Sequence, residues 1–213
     1  MADRKTAAEL LKGAYRITTP EDNVTYYADF AKVYDSDFAA PMGYIYPRAV
    51  AEQYRAHAGP EDVPVADIGC GTGLVAEALG LSAANIEGFD ISPEMLAKAR
   101  DKGLYAVLHE ADLTRPPEIK PRFGALVSAG TFTRGHLGPE PLEYALNLAR
   151  PGALAVIGVN VEHFEAKGFG PMLEQLETAG RIRDVRREQA AYYEGNDTDY
   201  AGDEAHILVF RVV

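Results

Sequence analysis

The chain predicts an α/β fold with a mainly parallel sheet and helices on both faces, on three observations. From about residue 61 onward, short apolar runs alternate with helix-like segments, the pattern of strands joined by helical crossovers. A glycine-rich bend, Asp67-Ile68-Gly69-Cys70-Gly71-Thr72-Gly73, stands between the first apolar run and the first of those helices. The last two strands are joined by a polar connection without helical periodicity, which makes them an antiparallel pair and the sheet a mixed one.

The elements follow in order. Residues 1–60 read as a helical, aromatic lid: Tyr26, Tyr27, Phe30 and Tyr34 recur at about helical spacing, as do Tyr44, Tyr46, Val50 and Tyr54. Gly59-Pro60 closes this part, and residues 61–213 form one α/β folding unit. Val63 to Ile68 is a buried strand, Gly73 to Leu79 a helix, and Ile86 to Phe89 the second strand. Ser92 caps the next helix and Pro93 suits its first position. That helix ends with Lys98, Arg100 and Lys102 before Gly103, cations near its negative end. Tyr105 to His109 and Phe123 to Ser128 are strands three and four. A helix from Pro139 to Ala149 is stopped by Arg150-Pro151-Gly152, and Ala153 to Val159 is strand five. Pro171 to Ala179 is a helix, and strands around Ile182 to Ala191 and Ile207 to Val213 finish the chain.

Composition narrows the partners. With 21 Lys and Arg against 32 Asp and Glu, the formal charge is −11, which argues against nucleic acid and anionic membrane, since both reward clustered cations. Arg181, Arg183, Arg186 and Arg187 form the basic cluster, and it reads as a solvated strand face. The single cysteine, Cys70, allows no intrachain disulfide, as expected of a reducing compartment. Met1 to Lys5 leads into no apolar signal-peptide core, and the longest apolar run, Gly152 to Val159, is far short of the roughly 20 residues of a membrane span. A soluble, cytoplasmic protein is expected, and the oligomeric state is open.

The glycine bend marks a ligand site. Glycines suit a sharp turn that a ligand approaches closely, in the crevice beyond the strand ends of a doubly wound sheet. The glycines read G-x-G-x-G with Leu74 at the sixth position, so they depart from the nicotinamide-type G-x-G-x-x-G, and the Walker lysine is absent. Asp90 closes the second strand, where a carboxylate can accept from both hydroxyls of a ribose or stand as a plain surface Asp. Asp112, in Glu110-Ala111-Asp112-Leu113, can accept from an adenine amino group or cap a turn. Cys70 is either a reactive thiol or a small residue filling the bend.

VADIGCGTGLVAEAL, GFDISPEMLAKAR, EADL, FGALVSAGTF and RPGALAVIGV, in this order, resemble the class I S-adenosylmethionine-dependent methyltransferases. The likeness runs from about Val63 to Val159, and YYADFAKVYDSDFA resembles the first helices of small-molecule members, which cover the cofactor. The resemblance implies a Rossmann-like, seven-stranded mixed sheet with strand seven antiparallel beside strand six, and S-adenosylmethionine as cofactor. It implies that Gly69, Gly71 and Gly73 pass under the cofactor, that Asp67 faces its amino-acid portion, and that Asp90 holds the ribose. Ile91 would pack on the adenine, Asp112 and Leu113 would complete that pocket, and Ser128 and Ala129 would lie beside the methionine portion.

Methyl transfer needs alignment of nucleophile, methyl and sulfur and exclusion of water, so a dedicated nucleophilic residue is not required. A sulfonium favours aromatic faces, which points to Tyr26 and Tyr34, and more weakly to Tyr27, unless these rings only pack the lid. Thr131 to His136, Asn160 to Phe164 and Tyr192 to Tyr200 are the segments expected near the acceptor. His136 and His163 are candidate general bases or solvated loop histidines, and Tyr34 is a third catalytic candidate. Strand four ends in Ser128-Ala129-Gly130-Thr131, unlike the Asn/Asp-Pro-Pro-Tyr/Phe pattern of amino methylation of bases or glutamine, and no acidic cluster for a metal is visible. The expected reaction is therefore metal-free methylation of a small-molecule acceptor. The alternatives are a non-catalytic module that binds the same cofactor and an NAD-type oxidoreductase.

Overall fold

The computed structural model describes Gly13, residues 20–194 and residues 203–213. The N-terminal part folds as α1 (Pro20–Phe30), a π-helical turn over Tyr34–Ala39, and α2 (Tyr46–His57). Alternation then sets in: β1 (Val65–Ile68), α3 (Leu74–Leu79), β2 (Ile86–Asp90), α4 (Pro93–Lys102), β3 (Val107–Glu110), β4 (Phe123–Phe132) and α5 (Pro139–Ala145). The chain ends in β5 (Ala149–Asn160), α6 (Val161–Lys167), α7 (Phe169–Thr178), β6 (Ile182–Ala191) and β7 (Glu204–Val212).

The seven strands form one sheet in the order β3-β2-β1-β4-β5-β7-β6. β1 pairs parallel with β2 and β4, whereas β7 runs antiparallel to both β5 and β6, as the polar final connection predicted. Strand alternation builds two cores. On β5, Leu154 and Val156 face the side covered by α2 and α3, with Tyr46, Val50 and Val75 beneath them. Ala155 and Ile157 face the side covered by α5 and α7, with Leu142, Phe169 and Leu173.

Several boundaries differ from the sequence reading. β4 runs past Ser128 to Phe132 with a register shift against β5 between Ser128 and Phe132. β5 begins at Ala149 because Phe123 pairs with it, so Arg150-Pro151-Gly152 lies within an irregular edge and does not precede the strand. α6 was not foreseen; Asn160 caps it by accepting from the His163 amide at 3.0 Å. The residues Met1 to Lys5 and the larger part of Tyr192 to Tyr200 lie outside the described residues. No helix among the described residues is long and apolar enough to cross a membrane.

Consecutive strands move outward from β1 in one direction through β2 and β3, then in the other through β4 and β5. The carboxyl ends of β1 and β4 therefore flank the point where strand order reverses, where open α/β sheets form a crevice.

Candidate functional site

A cleft of about 250 Å³ opens at that reversal point. Its floor is the bend after β1, Gly69 to Thr72; one wall is Asp90 and Ile91 after β2 with Asp112 and Leu113 after β3. The opposite wall is Ala129 to Thr131 at the end of β4 together with His136. Tyr27, Tyr34 and Tyr44 close it from the N-terminal side.

The bend needs its glycines for different reasons. Gly69 has φ +65°, and a Cβ there would overlap the Thr131 side chain. Gly71 has φ +52° and a Cβ would meet nothing within 4 Å, so the bare backbone is what faces the open cleft. Asp90 is tied to this bend: one carboxylate oxygen accepts from the Gly71 amide at 2.8 Å and the other from the Ser92 amide at 2.9 Å. Burial pushes this carboxyl up, against the backbone N–H groups that pull it down. Each oxygen keeps lone-pair capacity for a further donor, so a diol can be held without displacing the amides. Asp112 caps a turn by accepting from the Thr114 amide at 2.9 Å and its hydroxyl at 2.6 Å, and it also lines the cleft; the two readings coexist. This donor and acceptor set fits an adenosyl ligand: a side-chain-free floor, a half-buried carboxylate for a sugar diol, and apolar Ile91 and Leu113 for a flat base.

Asp67, Gly73, Ser128, Tyr26 and His163 lie off the cleft, whereas Cys70 is part of its floor. Asp67 is fully buried beneath the bend, where one oxygen accepts from the Tyr105 hydroxyl at 2.7 Å and the other has no hydrogen-bond partner; burial raises its pKa to about 7. Gly73, φ +92°, precedes α3, and a Cβ there would come within 3.1 Å of the Tyr105 ring. Ser128 turns inward and donates to the Ile68 carbonyl at 2.7 Å, binding β4 to β1. Tyr26 packs edge-on against Phe30 and beside Gly13. His163 is buried, with Nε2 2.9 Å from the Leu137 carbonyl, and so steadies the loop that carries His136 instead of facing the cleft. Cys70 is buried, and burial raises its thiol pKa well above the ordinary value, which makes it a filler of the bend.

The sequence reading ranked Tyr26 above Tyr27. The structure decides otherwise: Tyr27 and Tyr34 line the cleft and Tyr26 does not, with Phe30 and Tyr34 ring centroids 5.0 Å apart. Two further contacts were not legible in the sequence. Thr72 donates to Asp35 at 2.6 Å, and Lys102 at the end of α4 lies 2.6 Å from the same carboxylate; Asp35 thereby joins the lid to the bend and to α4.

His136 lines the wall opposite Asp90. Its Nδ1 lies 3.0 Å from the Arg134 carbonyl, which can only accept, so Nδ1 carries the proton. Nε2 is then left to accept from the Tyr27 hydroxyl at 3.1 Å. Burial lowers the pKa of His136 below the ordinary 6.5, so the ring is a neutral base at neutral pH.

Residues 65–152 match the family described as a methyltransferase domain. The chain is 31% identical over 180 residues to methyltransferase-like protein 27 of Homo sapiens, covering 80% of this chain and 72% of that protein. It is 33% identical over 137 residues to dTDP-3-amino-3,6-dideoxy-alpha-D-glucopyranose N,N-dimethyltransferase of Streptomyces fradiae, covering 62% of this chain and 52% of that protein. In fold it resembles a TehB-like SAM-dependent methyltransferase from Corynebacterium glutamicum, with a TM-score of 0.56 at 22% identity over 91% of this chain and 98% of that one.

Proposed function

The chain belongs to the class I S-adenosylmethionine-dependent methyltransferases, and we propose that it methylates a small organic acceptor, with Asp90 holding the cofactor ribose and His136 receiving the acceptor's proton. The NAD-type alternative falls away with that membership, since the cofactor of the family is S-adenosylmethionine. The observation that carries the site assignment is the Asp90 carboxylate, 2.8 Å from the Gly71 amide on the wall of the cleft.

When bound, the cofactor supplies an electrophilic methyl group. The protein's own part is to hold, align and shield. Gly69 and Gly71 would let the backbone approach the cofactor, Ile91 and Leu113 would flank its base, and Asp112 would accept from its amino group. Tyr27 and Tyr34 offer ring faces to a cation and cover the cleft against water. His136 Nε2 is available for a proton, and its Nδ1–H on Arg134 holds the ring's orientation. A small acceptor is supported by the aromatic cover over the cleft and by the Streptomyces fradiae relative, whose name places an amino sugar nucleotide as its substrate. Residues 1–60 acting as a cover on a 61–213 catalytic unit, working in the cytoplasm without nucleic acid, is part of the same proposal.

Calorimetric titration with S-adenosylhomocysteine tests it. Wild-type protein binds, and Asp90→Ala weakens binding about 100-fold, because two charge-assisted hydrogen bonds worth about 1.5 kcal/mol each are lost. His136→Gln leaves that affinity within a factor of about two while lowering turnover by about 10² or more. Wild-type protein that fails to bind the ligand overturns the proposal.

A further inference from the structure

We propose that an aromatic recess beside the cleft is the acceptor subsite and that it takes an uncharged aromatic ring carrying a hydroxyl group. The proposal rests on the methyl-transfer reading above.

The recess lies between Phe38 and Tyr44 on the lid side and Tyr192 and Tyr193 after β6. It is continuous with the cofactor cleft, since Tyr34, Tyr44, Gly130 and His136 line both. Its walls are ring faces. Tyr44 and Tyr192 are within 23° of parallel with centroids 6.3 Å apart, and Phe38 and Tyr193 stand 5.9 and 5.7 Å from Tyr44. At such spacings these rings pack on one another and give the recess an aromatic lining.

The charge of the walls selects further. No Lys, Arg, Asp or Glu lines the recess among the described residues. Burial keeps the Tyr34 and Tyr44 hydroxyls protonated and His136 uncharged. An ammonium acceptor about 5 Å from the cofactor's sulfonium would be repelled by roughly 3 kcal/mol at an effective dielectric constant near 20. The aromatic faces return only about 0.5–2 kcal/mol for a cation, so a cationic acceptor loses. A carboxylate or phosphate would shed its water without a cationic side chain to replace it, at several kcal/mol. An uncharged ring meets neither cost.

A hydroxyl on that ring is also what His136 can use. The hydroxyl takes the place of Tyr27 as donor to Nε2. As its oxygen bonds to the methyl carbon, the carbon–sulfur pair stays on sulfur to give S-adenosylhomocysteine, and the hydroxyl proton passes to Nε2 and then to solvent. Charge is thus never left on the acceptor.

The experiment follows S-adenosylhomocysteine release with a matched set of probes: 4-ethylphenol, catechol and 2-naphthol against benzylamine and benzoate. Phenols are expected to show a kcat/KM at least tenfold above benzylamine, with benzoate inert. Tyr193→Leu and the milder Phe38→Leu, both in the recess and not in the cleft, should raise KM for the phenol several-fold while leaving the Kd for S-adenosylhomocysteine within twofold. If S-adenosylhomocysteine does not bind the wild-type protein, the methyltransferase site reading itself fails. If it binds, and benzylamine or benzoate is methylated as well as the phenols, or no phenol is methylated, the subsite proposal alone is overturned.

Discussion

Asp67 offers a quantitative test of how the bend is supported. Its carboxyl is fully buried, accepts one hydrogen bond from Tyr105, and leaves its other oxygen unpaired. Burial is the main cause of a pKa near 7 in place of 3.8. At 1.36 kcal/mol per pKa step, the ionised form costs the folded state about 4 kcal/mol. The folded pKa is raised, so the protonated group's contribution is complete below the unfolded value and is lost as pH rises towards 7. Asp67→Asn removes that charge, and its amide oxygen can still accept from Tyr105. Its NH₂ group then lacks a partner, at about 1–3 kcal/mol. The variant should therefore be about 1–3 kcal/mol more stable than wild type at pH 8, an advantage that shrinks or reverses by pH 5. His136 and His163 titrate in both proteins and cancel in the difference, whereas repulsion from Asp90 is part of the Asp67 shift and is lost with the charge. With 12 tyrosines and no tryptophan, urea unfolding of cofactor-free protein is best followed by far-UV circular dichroism. A stability difference that stays constant between pH 5 and pH 8, or that favours the variant more in acid, would refute the reasoning.

Two further perturbations probe the cleft. Gly69→Ala places a side chain at φ +65° against Thr131 and should destabilise the protein by about 2–4 kcal/mol; adding Thr131→Ala should recover part of this in urea unfolding, and simple additivity would contradict the contact. Asp35→Asn keeps an acceptor for Thr72 but loses the charge facing Lys102; the Kd for S-adenosylhomocysteine should rise about threefold at low salt and converge on wild type at high salt, and an unchanged Kd at every salt concentration would show that this link does not hold the lid.

Much of the architecture was readable because it depends on local pattern. Strand and helix alternation after residue 60, the Ser92 cap, and the antiparallel final pair all follow from periodicity and turn chemistry, and the sheet order agrees with them. Gly69, Gly71, Asp90, Ile91, Asp112 and Leu113 stand on the cleft because each directly follows a strand whose carboxyl end must face it. Residues whose direction depends on a partner elsewhere were harder. Ser128 and Thr131 lie on the same strand and both donate to the Ile68 carbonyl, yet Thr131, beyond the start of the register shift, lines the cleft and Ser128 does not.

Order along the chain determined by itself that a bare-backbone bend and an acidic strand end would face one crevice, since parallel strands deliver their carboxyl ends to the same edge. Tertiary packing alone decided which tyrosines close that crevice, that His136 and not His163 faces it, and that Asp67 lies beneath it. Those outcomes depend on contacts such as Tyr27 with His136 and Tyr105 with Asp67, between residues far apart in sequence, and local pattern carries no information about a partner supplied by another element.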